Sequence, residues 1–365
     1  MLPPQQEALF DDPPPPAAPA AASGPAAVPE PEAAPPARRA PRANGVKVAP
    51  APPSAALFQL AQALTPRLHL GTSSWHFPGW HGLVWDREYA QPTLSRHGLA
   101  AYAQHPLLRG VSLDRAFYRP LTASQYAQYA AQVPADFRFV VKGPSLVCDA
   151  LVRDEEGRGM QANPAFLDPV LAVESFVRPA LEGLGARLGA LVFQISPLPA
   201  ALLGEPELLL QRLAAMLQAI PPLAPLAPEG VIAVEVRDAA WLTPAFAQVL
   251  REAGATYCLG LHPKLPPISD QLPLLRALWP GPLVCRWNLN RMHGAYGYAQ
   301  AKGLYEPFNR LVDPDPDTRA VLARVIAGTT GSGHAAYVCI NNKAEGSAPL
   351  SVQALAEEVV RQRRV

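Results

Sequence analysis

Residues 230–237 read Gly230-Val231-Ile232-Ala233-Val234-Glu235-Val236-Arg237, and this stretch decides the fold. A strand with one wet face alternates apolar and polar side chains. Four apolar residues in succession instead require cover on both faces, the situation of a parallel strand sandwiched in an α/β protein. Residues 188–193, Leu-Gly-Ala-Leu-Val-Phe, repeat the pattern. Working outward, eight such runs follow residue 65, at 68–74, 110–114, 137–142, 190–195, 231–237, 256–260, 283–287 and 335–341. Helical patterns lie between them near 93–104, 122–132, 165–184, 206–219, 243–253, 271–279 and 316–327, with a last one near 350–363. Ser124, Pro164, Pro244 and Pro349 fall near helix starts, where serine caps and proline costs least. Eight strand–helix units over about 300 residues predict a (β/α)8 barrel, a TIM-like fold. A doubly wound open sheet is the competing architecture.

The composition bounds the rest. Of 365 residues 44 are proline, and 16 of these, with 17 alanines, lie in residues 1–60. Phe10 and Phe58 are the aromatics of that stretch, so it has little to bury against its ordering entropy. The expectation is a disordered, partly polyproline-like tail over 1–64, followed by one barrel domain over 65–365. Lys and Arg total 31 against 30 Asp and Glu. That balance excludes a strongly basic nucleic-acid coat and an acidic tail. No run of 18 apolar residues and no signal-peptide pattern is present, which predicts no membrane partner. The four cysteines, 148, 258, 285 and 339, form no CxxC pair and read as buried thiols of a protein in a reducing cytoplasm.

The chemistry sits where the strands end. The third strand ends in Lys142 and the fourth in Gln194. The fifth carries Glu235 and Arg237, the seventh Arg286, and the eighth runs into Asn341 and Asn342. The first leads into Trp75, and the second ends in Asp114 ahead of Phe117 and Tyr118. In a parallel barrel these ends converge on one face, where enzymes of the fold place their sites. Glu235 and Arg237 are two residues apart, so both point to one side of their strand. Three cations against two carboxylates suit an anionic ligand, and Trp75, Trp80, Phe117, Tyr118, Trp241 and Trp287 supply planar rings for a nucleotide, nucleic acid or sugar phosphate. The bland reading is an internal ion-pair network that plugs the barrel.

Other motifs say less. His76, His81, His262 and His293 follow predicted strands but lack metal-ligand spacing, and no metal is expected; His69 and His334 read as structural. Residues 328–333, Gly-Thr-Thr-Gly-Ser-Gly, precede a strand instead of joining a strand to a helix. They read as a turn into the last strand, not as a phosphate loop. There is no GxSxG elbow and no Walker A sequence, and no cofactor is called for.

Taken in order, LGTSSW (70–75), AFYRP (116–120), FRFVVKGP (137–144), LVFQISP (191–197), AVEVRDAAW (233–241), VCRWN (284–288) and YVCINNKAEGSAPLS (337–351) resemble the DUF72, or YecE-like, family. The resemblance spans residues 68–361 and implies a TIM barrel of unknown function. It implies cleft roles for Trp75, Phe117, Tyr118, Lys142, Gln194, Glu235, Arg237, Trp241, Arg286, Asn341 and Asn342. One departure stands out: the family usually has a Glu and an Asn on strand two, where this chain has Ser112 and Asp114. The strand-two carboxylate has either moved by two residues on the same side or been lost.

In the tail, Gln6-Glu7-Ala8-Leu9-Phe10 resembles the short peptide by which bacterial DNA-metabolism proteins grip the sliding clamp. Leu9 and Phe10 would anchor in an apolar pocket and Gln6 at its edge, with residues 11–60 as tether. The sequence thus leads to an enzyme, of hydrolase or phosphodiesterase type, acting on an anionic substrate, with a nucleotide-containing one among the options. Glu235 is then the general base or the orienter of Arg237, while Lys142, Arg237 and Arg286 hold the anion. A Glu235→Gln change is expected to stop turnover with the fold intact. The alternative is a non-catalytic barrel that binds a nucleotide or nucleic acid and is tethered to the clamp through its tail.

Overall fold

The computed structural model describes residues 47–154 and 158–363. Eight parallel strands close into a barrel. They are β1 (Leu68–Thr72), β2 (Gly110–Leu113), β3 (Arg138–Lys142), β6 (Leu188–Gln194), β7 (Val231–Glu235), β8 (Thr256–Leu261), β9 (Leu283–Trp287) and β10 (Ala336–Ile340), with β10 returning to β1. An exposed antiparallel hairpin, β4 (Leu151–Arg153) and β5 (Gly159–Ala162), interrupts the series after β3. Closure excludes the open doubly wound sheet, and all eight strand runs of the sequence are barrel strands.

Two hydrophobic layers hold the fold. Outward side chains of the strands meet the surrounding helices in one continuous core. Inward side chains form a separate plug of Val140, Ala190, Val192, Ala233, Cys258, Val284, Tyr337 and Cys339. Both strand faces are therefore dry, as the unbroken apolar runs require. Below the plug, the ring of His69 stacks on Tyr337 with centroids 5.2 Å apart. Burial first, then Arg138 and Arg109, pushes the His69 pKa down to about 4, so it is neutral packing. At the β1–β2 seam the backbones come so close that a Cβ on Gly71 would lie 2.0 Å from the Gly110 carbonyl oxygen. All four cysteines are free and buried, and burial pushes the Cys148 and Cys339 thiols up to about 12.

Three features differ from the sequence reading. The boundary at residue 64 is too late. Val48 and Ala51 are buried, the Ala51 N–H donates to the Val84 carbonyl at 2.8 Å, and Ala55–Ala63 form a helix capped by Ser54. Leu57, Leu60, Ala61 and Leu64 pack that helix on the domain. Their spacing is helical, but proline- and alanine-rich neighbours mask it. Next, the glycine-rich stretch is mostly helix: Pro316–Gly331 runs through it, with Thr329 and Thr330 buried and the Thr330 hydroxyl donating to the Ile326 carbonyl at 2.9 Å. Only the residues from Ser332 onward turn toward β10. The helix Tyr298–Tyr305, in the long connection after β9, was not anticipated. Gln6, Leu9 and Phe10 lie outside the described residues. Among the described residues no helix is long and apolar enough to cross a membrane.

A chain beginning at residue 66 loses the buried Val48 and the apolar stripe of the first helix. At about 1.5–3 kcal/mol per buried aliphatic side chain, it should melt about 5 °C or more below a chain beginning at residue 46. Equal melting temperatures would show that residues 47–64 contribute nothing.

Candidate functional site

Inward positions recur every second residue along a strand. Continuing upward from the plug, Val140 leads to Lys142, Val192 to Gln194, and Ala233 to Glu235 and Arg237. In the same way Cys258 leads to Gly260 and His262, Val284 to Arg286 and Asn288, and Cys339 to Asn341. The barrel is apolar for one layer and polar directly above it, at the C-terminal ends of the strands.

Glu235 is the centre of that layer and is wholly buried. Its Oε1 lies 2.9 Å from Arg237 Nη2 and its Oε2 2.7 Å from Arg286 Nη1. Asn288 Nδ2 adds a bond to Oε1 at 3.3 Å. Gln194 Oε1 accepts from both guanidiniums, at 2.8 Å from Arg237 and 2.9 Å from Arg286. Arg286 reaches across the mouth with Nη2 to Asp114 Oδ2 at 2.7 Å, and the Ser112 hydroxyl donates to Asp114 Oδ1 at 2.6 Å. The strand-two carboxylate is therefore present and bonded to Arg286. Gly260 borders Glu235, and a Cβ there would stand in ordinary contact with the carboxylate and 2.9 Å from a Leu265 methyl.

Burial alone would raise the Glu235 pKa, but the guanidiniums of Arg237 and Arg286 outweigh it and hold the carboxyl below its ordinary value. For Arg286 burial opposes the charge, and Asp114 and Glu235 more than restore it. Lys142 places Nζ 3.3 Å from the ring centre of Phe117, which meets Tyr118 edge-on; Tyr118 is half exposed at the rim. Arg237 Nη1 is buried without a hydrogen-bond partner among the described residues.

The other candidates stand apart from this cluster. Trp75 Nε1 donates to the Leu94 carbonyl at 3.1 Å and its ring packs on Tyr129. Trp241 packs on Phe246 of the helix Pro244–Glu252. Asn341 Nδ2 bonds the Ser73 hydroxyl at 2.9 Å, tying β10 to the loop after β1. Asn342 Oδ1 accepts from Trp80 Nε1 and from the Ala348 N–H, which anchors the start of the last helix. The histidines are dispersed: His76 bonds Ser74, and His293 bonds Tyr305. His262 reaches the mouth and stacks on Tyr298 with centroids 5.7 Å apart. Burial, then Arg237, Lys264 and Arg291, pushes its pKa down to about 2. Its Nδ1 accepts from the Lys264 N–H, which leaves the ring proton on Nε2.

Sequence reasoning missed Asn288, Tyr298 and Lys343. Asn288 was recoverable as the inward position two beyond Arg286; Tyr298 opens the helix Tyr298–Tyr305, and Lys343 lies in a short helical turn after β10. An apolar groove of about 290 Å³ lies at the opposite end of the barrel, beside Thr256, Leu283, Trp279 and Val325, and holds none of the candidate residues.

Comparison with known proteins agrees with this architecture. The family described as "Protein of unknown function DUF72" matches residues 69–365. The structure of a DUF72 family protein from Thermotoga maritima is similar with a TM-score of 0.51 and 21% identity, over 82% of this chain and 99% of that one. A DUF72 family protein from Enterococcus faecalis gives a TM-score of 0.50 and 19% identity, over 80% of this chain and 95% of that one. No curated protein matches.

Because Glu235 neutralises two buried guanidiniums, Glu235→Gln should not leave the fold untouched. Removing one partner of such a pair costs about 3 kcal/mol or more. The stabilisation is complete above the ordinary carboxylate pKa of about 4.3 and is lost as pH falls through the lowered value in the folded protein. The melting temperature of Glu235→Gln should therefore lie well below wild type at pH 7, and the gap should narrow on acidification. A gap independent of pH would rule out this account.

Proposed function

The chain belongs to the DUF72 family, whose function is unknown, and from that premise we propose that its barrel mouth binds an anionic ligand. One observation carries the reading. Arg237 Nη1 is a buried, charged N–H group with no acceptor among the described residues, in a site that already spends two carboxylates on its arginines. Leaving such a donor unmatched costs about 1–3 kcal/mol, and an oxygen of a phosphate or carboxylate would relieve it. Lys142 adds a third positive charge, and Phe117 with the half-exposed Tyr118 offers a rim on which a base or sugar ring can rest.

The geometry bears on the role of Glu235. Both of its oxygens are occupied and its carboxyl is held ionised, so it supports the role of orienter for Arg237 and Arg286 over that of general base. In an enzyme of hydrolase or phosphodiesterase type, the arginines would stabilise charge developing on the substrate oxygens. Asp114, with a side chain 20% exposed, is then the carboxylate that a water molecule can reach. The saturation of Glu235 favours a second reading, a barrel that holds a nucleotide or other anion without turning it over.

Calorimetric titration with inorganic phosphate and with a nucleoside monophosphate tests the site. Wild type should bind at least one of them. Arg237→Gln should weaken that binding about tenfold or more, the worth of one charge-assisted hydrogen bond. Equal affinity in the two proteins would remove the anion from this site. Product formation on prolonged incubation separates enzyme from binding module.

A further inference from the structure

A further cation, Lys343, is buried among aromatic rings and shares none of the carboxylates of the arginine pair. After β10 the chain turns on Asn341, whose Oδ1 accepts the Lys343 N–H at 2.9 Å. The Lys343 carbonyl accepts the Asn290 N–H at 2.9 Å, which ties the loop after β10 to the loop after β9. The Lys343 side chain is folded inward, and the residue is 5% exposed. Its Nζ lies 5.5 Å from the ring centre of Tyr298 and 5.9 Å from that of Phe308. Among the described residues it has neither an ion-pair partner nor a hydrogen-bond acceptor.

The other lysines of the chain are placed differently. Lys302 pairs with Glu306 at 3.6 Å, Lys264 lies over Tyr296, Lys142 lies over Phe117, and Lys47 is exposed. Burial, and after it Lys302, brings the Lys343 pKa down to about 8, with Glu306 opposing in part. An ammonium ion without a counter-charge is costly in such a place, and the neutral amine that replaces it is a nucleophile. Tyr298 links this amine to the charged cluster. Its ring touches Lys343 and stacks on His262, and it lies in the field of Arg237, Arg286, Glu235 and Asp114.

We propose that Lys343 is a nucleophilic amine that condenses with the carbonyl carbon of an aldehyde or ketone. In the step, the nitrogen lone pair attacks the carbonyl carbon, the C=O π pair moves to oxygen, and a proton passes from the nitrogen to that oxygen. The resulting carbinolamine takes one proton from solvent water on its hydroxyl and loses it as water, while the nitrogen lone pair forms the C=N bond of an iminium ion. No oxidant or reductant is consumed.

Reductive trapping tests this. The whole chain is incubated at pH 7.5 with sodium cyanoborohydride and either glyoxylate, an anionic carbonyl compound, or propionaldehyde, a neutral one. Hydride from the reagent converts an iminium into a stable secondary amine, which is mapped by mass spectrometry of peptides. Lys343 should be modified by both probes at least tenfold faster than Lys47, Lys142, Lys264 or Lys302. Lys343→Arg, which keeps the charge but forms no imine under these conditions, should carry no mark at that position while melting near wild type. Labelling of Lys343 no faster than that of the other lysines with either probe overturns the proposal.

Discussion

The structure depends on one carboxylate clasped between two guanidiniums. Glu235 lies where eight strands bring their C-terminal ends together, and a charge in such a place is tolerated only if its partners are supplied from other strands. Arg237 comes from the same chain segment, Arg286 from β9, Gln194 from β6 and Asp114 from the end of β2. Breaking any one contact leaves a buried charge short of a partner, so the relative heights of these strands are coupled through the cluster. The registers agree with that demand: Gln194 pairs with Glu235 across β6 and β7, and Arg286 lies level with Gly260 and Cys339. The same network that closes the barrel leaves Arg237 Nη1 without an acceptor among the described residues.

The fold was legible because strands covered on both faces leave a strong mark. Val231–Val234 and Leu188–Phe193 could not be read as amphipathic, and eight runs of this kind with helices between them leave few alternatives. The core of the site was legible for a related reason. Glu235, Arg237, Gln194, Arg286 and Asp114 each terminate an apolar run, and a polar residue at a strand end that shares parity with the inner plug has to face the mouth. That parity rule also separates the remaining candidates from the cluster. Trp241 lies on a turn beyond β7, outside strand parity, and it fills the space over Phe246. Asn342 is one position off the inward register of Asn341 and serves the last helix.

What was not legible belongs to segments without a period. The hairpin at Leu151–Ala162 is too short and too exposed to produce alternation. Tyr298 and Lys343 meet because the long connection after β9 folds back onto the short one after β10, and nothing local in either sequence announces the other. The helix Ala55–Ala63 carries a correct apolar stripe inside a stretch whose bulk composition is that of an unstructured segment. Average composition over sixty residues concealed a pattern visible over ten.

The tie between Ala51 and Val84 has a consequence for how the molecule can be held. Residues 48–51 lie against the connection that follows β1, on the mouth side of the barrel, and the chain then descends through the helix Ala55–Ala63 to enter β1 from below. The last helix, Ala348–Gln362, starts at the mouth and runs down to the opposite end. The two ends of the domain therefore exit at opposite poles. Cargo joined ahead of residue 47 is presented beside the charged cleft, at an effective concentration that its linker sets. A surface anchor joined behind the last helix holds the same cleft outward, open to solvent.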